Sequence, residues 1–167
     1  MMKDWAGRLD AVNRWCGLTV RWLALAMVLL QFAIVVMRYL FGVSFVFLGE
    51  GVLYMHAALF MLGAGYTLLV DEHVRIDIFY SRRDEKGRAR VNAAGAALLL
   101  IPSLILILWV SWPYVRNSVS ILEGAISVGG IPASFLLKGL IPAFCLLLLV
   151  QGVACLLRDL ARLERRE

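Results

Sequence analysis

Residues 17–37 read GLTVRWLALAMVLLQFAIVVM, a run whose single charged side chain, Arg21, stands near its start. At 1.5 Å per residue such a run reaches about 30 Å as a helix, the hydrocarbon thickness of a bilayer. Residues 51–70, 91–115 and 139–157 are apolar runs of the same order. The remaining chain is mostly charged or rich in turn residues, so the apolar content sits in blocks rather than in amphipathic stripes. Of 167 residues, 62% are hydrophobic and 17% charged, and the mean hydropathy is +0.82. Soluble globules carry about 25% charged residues, so this composition excludes an ordinary soluble fold. The expected fold is all-α: one integral membrane domain over 1–167, with four transmembrane helices and short interfacial segments in its loops.

In hydrocarbon every backbone N–H and C=O must be paired within its own segment, so the blocks are helices despite their Val, Ile and Gly content. Pro102 lies in the third span and Pro142 near the start of the fourth, where kinks are tolerated if neighbours take up the freed carbonyls. The third span is the longest and is expected to tilt or bend. Small residues mark surfaces for close helix contact, either within this chain or against another protein: Gly63-Ala64-Gly65, the pair Ala93 and Ala97, and the pair Gly139 and Ala143.

Charge supplies the orientation. Of 17 Lys and Arg, 14 lie before or just inside the first span, in the 71–90 loop, or in the tail from Arg158. Arg38, Arg116 and Lys138 are the exceptions. The positive-inside rule puts both termini and the middle loop in the cytoplasm, and the loops around 38–50 and 116–138 outside. The net charge of +5 is thereby a topology signal, and no nucleic-acid partner is expected. The first span reads as an uncleaved anchor, because Arg38-Tyr39-Leu40-Phe41-Gly42 is a poor signal-peptide cleavage site.

The chemistry-bearing residues are sparse. Cys16, Cys145 and Cys155 have no ligand spacing, and neither a disulfide nor a metal is expected. Gln31, His56, Ser103, Ser111 and Gln151 are the main polar groups at depth, and no acid lies deep in a span. A self-sufficient transporter needs broken helices and repeats around a midplane site, which four spans without internal repetition do not supply. His56 and His73 are about a helix length apart and cannot flank one haem, so His56 is read as packed or hydrogen-bonded to another helix. No hydrolase, zinc, P-loop or dinucleotide motif is present, and neither enzymatic activity nor a cofactor is expected.

Two loops carry candidate recognition residues. From Asp71 the chain reads DEHVRIDIFY and then SRRDEKGR, alternating charge with apolar and aromatic groups as an interfacial segment does. The second reads RNSVSILE from Arg116, then Gly129-Gly130-Ile131-Pro132, which breaks it into two short interfacial pieces rather than a fifth span. Each is either a connector resting on membrane lipids or a surface for a partner chain.

Together these residues carry a resemblance. The run Arg38-Tyr39-x-Phe41-Gly42, then Ser44 and Glu50, then Gly63-Ala64-Gly65-Tyr66-Thr67-Leu68, then HVRIDIFY from His73 resembles the small, DctQ-type membrane subunit of TRAP (tripartite ATP-independent periplasmic) transporters. Trp112, Ser118, Glu123, Gly130-Ile131-Pro132, Lys138, Ile141-Pro142 and Gln151-Gly152 continue it, so that it covers roughly residues 15–160. Where many members have Trp-x-Glu-Glu this chain has Phe47-Leu48-Gly49-Glu50, keeping only the last acid. The resemblance implies a subunit of the bacterial inner membrane that acts with partners. A periplasmic solute-binding protein (DctP type) would deliver an organic acid, nearest to small keto or hydroxy acids. A large membrane subunit (DctM type) would carry it with sodium ions, which it and not this chain would bind. The small subunit then scaffolds the large one. Arg38, Glu50, Glu123 and Lys138 are assigned to the outer surface, where the binding protein would meet it. His73, Arg75 and Asp77 are assigned to a cytoplasmic seam. The competing reading is a structural or assembly subunit of another membrane complex, such as a respiratory one.

Overall fold

The computed structural model describes residues 2–73, 80 and 83–164, with side chains from residue 6 onward. Its elements are α1 (Met2–Val20), α2 (Trp22–Phe41), α3 (Val46–Leu69), α4 (Glu85–Gly95), a π turn (Ala96–Leu100), α5 (Ile101–Ser120) and α6 (Ser134–Leu163). Among the described residues four helical stretches are long and apolar enough to cross a membrane: Ala6–Phe41, Val46–Leu69, Glu85–Ser120 and Ser134–Leu163. The protein is an all-helical, four-span membrane protein. Its helices run several residues beyond the apolar blocks, because backbone pairing continues into the interface where side chains turn polar.

The helix ends follow local chemistry. Gly42 closes α2 in the left-handed region at φ 66°, and it and Val43 both donate to the Met37 carbonyl. A side chain at Gly42 would be strained there. Asp84 caps α4, its Oδ1 accepting from the Gly87 N–H at 3.1 Å, with Glu85 in the first turn where the helix dipole favours an acid.

The bend expected in the third span is a π turn. Pro102 has no N–H to give the residue 98 carbonyl and its ring crowds that turn, and just before it the Ile101 N–H reaches back five residues to Ala96. Ala89, Ala93 and Ala96 face inward, whereas Ala97 is exposed in this chain, so that the Ala93 and Ala97 pair is split between the bundle and an outward face. Gly139 makes no close approach within this chain, as a Cβ there would meet open space. The two interfacial pieces expected after Arg116 are continuous with the spans: 116–120 completes α5 and 134–138 opens α6, with an irregular 121–133 loop between.

Helix α6 is the hub, packing against α1, α3, α4 and α5. Leu104, Cys145 and Leu148 form the apolar centre, covered by Ala64, Leu68, Leu100, Leu108, Phe144 and Leu149. Helix α2 is the opposite case: it lies on α3 with a smaller contact to α1 and contains no buried residue. Leu25, Val28, Leu29 and Phe32 on α2, and Ile105, Leu106, Trp109 and Val110 on α5, are exposed. Without an aqueous hydrophobic drive between spans, close packing and polar contacts must set the bundle.

Candidate functional site

The polar side chains collect at the two ends of the bundle. At the end formed by the 42–45 and 121–133 connections, Glu50 lies near the start of α3, 8% exposed. Its Oε2 accepts the Ile131 N–H at 2.6 Å, tying α3 to the outer loop. Gly130 is a glycine because a Cβ there would sit 2.3 Å from both carboxylate oxygens of Glu50. Beside this clamp, Lys138 at the start of α6 pairs with Glu123 at 2.5 Å and lies 4.1 Å from the centroid of the Tyr114 ring. The Lys138 ammonium holds the Glu123 carboxyl below its ordinary range. The Ser134 hydroxyl donates to the Gly124 carbonyl at 2.5 Å. The loop is thus fixed at Glu50, Lys138 and Ser134, while its apolar side chains Ile121, Leu122, Ile126 and Val128 point away, Val128 being 99% exposed.

Of the residues expected on the outer surface, Glu123 and Lys138 are brought together and Glu50 is covered by the loop they brace. Arg38 stands apart, exposed in the last turn of α2 and donating to Ser44 Oγ at 3.3 Å. His73 is exposed just beyond α3. Arg75 and Asp77 lie outside the described residues.

The end that holds both termini carries a network the sequence reading did not single out. Asn13 and Gln151 are fully buried. Asn13 Nδ2 donates to the Gln151 side-chain oxygen and to the Leu147 carbonyl, both at 3.1 Å. Gln151 Nε2 donates to Asp10 Oδ1 at 2.9 Å, and Arg158 Nη1 to Asp10 Oδ2 at 2.7 Å. The chain of contacts locks α1 to α6. Its sequence signal is spacing: Gln151 and Arg158, seven apart, share a face of α6, as Asp10 and Asn13, three apart, do on α1. A glycine on each helix lets α1 and α3 approach: a Cβ on Gly65 of α3 would meet Asn13 Oδ1 at 2.0 Å, and one on Gly17 of α1 would meet Tyr66 at 2.3 Å. Beside this network a cavity of about 440 Å³ is lined by the ends of α3, α4 and α6, including Asp71, Tyr80, Asn92, Arg158, Asp159 and Arg162. Arg158 and Arg162 are already paired with Asp10 and Asp159.

Within the spans these hydroxyls turn back on their own helices: Thr67 donates to the Gly63 carbonyl, Ser103 to Leu100 and Ser111 to Leu108. His56, expected to be packed or hydrogen-bonded to another helix, is exposed on α3 within this chain, and Gln31 is exposed on α2. Among the described residues no three His, Cys, Asp or Glu side chains converge as a metal site would require. The geometry fastens helices together and leaves outward faces uncovered.

The family described as tripartite ATP-independent periplasmic transporters, DctQ component, matches this chain over residues 27–162. No curated protein matches it.

Proposed function

Since the chain belongs to the DctQ component family of the tripartite ATP-independent periplasmic transporters, a transporter component and not an enzyme family, we propose that it is the small membrane subunit that scaffolds a large, DctM-type transport subunit. In this reading the complex sits in the bacterial inner membrane with the termini of this chain in the cytoplasm. A DctP-type periplasmic protein delivers an organic acid, and the large subunit moves it with sodium ions.

The observation that carries the scaffold role is where the polar side chains are used. Asp10, Asn13, Gln151 and Arg158 fasten one end of the bundle, and Glu50, Glu123 and Lys138 the other. Such a body gives a moving partner a fixed wall to work against. The loop from Ile121 to Ala133, braced from below and apolar at its tip, is the surface offered to the binding protein, with Arg38 beside it. His73, Arg75 and Asp77 are assigned to the cytoplasmic seam with the large subunit.

The test is a mild-detergent pull-down of the tagged chain from its native membrane, followed by uptake assays. One large polytopic subunit in equal amount, with uptake requiring sodium and the binding protein, is the expected result. Recovery of redox subunits instead would favour the respiratory-complex reading. Charge reversal at Glu123 should weaken binding-protein-dependent uptake, and unchanged uptake at normal expression removes that loop from docking.

A further inference from the structure

Helix α3 has one open face. Its other sides pack against α1, α2 and α6, and the stripe left uncovered is Gly49, Leu53, His56 and Phe60, with Leu53 48% and Phe60 71% exposed. These positions follow one another by three or four residues and so form a single line along the helix.

His56 is the unusual member. It lies near the middle of a helix of 24 residues, about 15 Å along the axis from the start and about 20 Å from the end at 1.5 Å per residue, beyond the reach of an imidazole that would turn its nitrogens to the interface. Ionisable side chains at that depth face a bundle interior, a water-filled cavity or a bonded partner, because lipid tails offer no hydrogen bond. Among the described residues His56 has none. Thr67, Ser103 and Ser111 within the spans are satisfied on their own helices, and Gln151 is spent in the terminal network. Gln31, also exposed and also without a partner, stands on the adjacent α2.

We propose that the Leu53–His56–Phe60 face of α3 is the seam with the large membrane subunit, and that His56 bonds there to a polar side chain on a partner helix at mid-bilayer depth. This rests on the scaffold reading above and adds to it a face and an anchoring group. Leu53 and Phe60, one turn to either side, shield the bond from lipid. The stripe has no small residue beside His56, so two copies of this chain could not cross closely at that level as small-residue faces do.

The test places a photo-crosslinking benzoylphenylalanine at Leu53, at Phe60 or, on the outer face of α5, at Trp109, in the full complex in native membranes. Adducts with the large subunit are expected from 53 and 60 and not from 109. In parallel, His56→Leu should reduce co-purified large subunit about ten-fold, the effect of losing one good intramembrane polar contact, while His56→Gln should retain it. Adducts from 53 and 60 with lipid alone or with a second copy of this chain would overturn the proposal, as would undiminished recovery with His56→Leu. Adducts with the large subunit from 109 alone would refute this face and leave the scaffold reading standing. Absence of the large subunit from every adduct and from the wild-type pull-down would remove both.

Discussion

Asn13 occupies the space that Gly65 leaves open: a Cβ on Gly65 would lie 2.0 Å from Asn13 Oδ1 and 3.2 Å from the Leu147 carbonyl oxygen. A glycine on α3 therefore lets an amide on α1 reach the backbone and side chains of α6, joining three helices at one level of the bundle.

Gly65→Ala should consequently destabilise the protein, and Asn13→Ala in the same chain should restore part of the loss, because the amide is the nearer obstacle. Thermal unfolding of the four variants in detergent gives the coupling, expected at about 0.5–3 kcal/mol for groups in direct contact. Additive losses would show that the two residues do not share that space.

Gln151→Leu keeps the volume and removes the donor to Asp10 and the acceptor for Asn13. Each buried polar group left unpaired costs about 1–3 kcal/mol, so a clear drop in melting temperature is expected. Gln151→Glu should be worse at neutral pH, since it sets a carboxylate against Asp10, whose Oδ1 is 2.9 Å from the amide nitrogen of Gln151.

Glu50→Ala should release the outer loop with little effect on the spans. A backbone hydrogen bond to a charged group is worth about 1.5–3 kcal/mol, so exchange of the Ile131 amide should accelerate about ten-fold or more while the helical core stays protected. Gly130→Ala should produce the same local loosening by pushing the carboxylate away. Unchanged exchange at Ile131 in both variants would mean the clamp does not hold the loop.

The Glu123–Lys138 pair predicts a pH dependence of fixed sign. The Glu123 carboxyl is held below its ordinary value of 4.5 by Lys138, so the folded state favours its ionised form. Its contribution is complete above that value and is lost as pH falls through the lower folded one. The difference in melting temperature between wild type and Glu123→Gln should be constant from neutral pH down to about 4.5 and shrink below it. A difference that grows on acidification would reverse the assignment.

Composition and the four apolar runs were enough to read the architecture, because hydrocarbon leaves an unpaired backbone no alternative to helix. The family was legible in the same way, through ordered local motifs from Arg38 to Gln151-Gly152, and the match over residues 27–162 agrees with it. Helix phase and long-range partners were not legible. Ala96 is buried and its neighbour Ala97 exposed, a difference set by which side of the helix its neighbours cover. Asp10 and Arg158 meet across 148 positions, and nothing near either residue records the other. Whether His56 points inward or outward likewise depends on which sides of α3 are already occupied. The sequence by itself determined how many helices cross the membrane and what they are made of, since both follow from local transfer energies. Only the tertiary structure decided which polar groups are used up inside the bundle and which stay available for a partner, because that depends on neighbours brought together from distant parts of the chain.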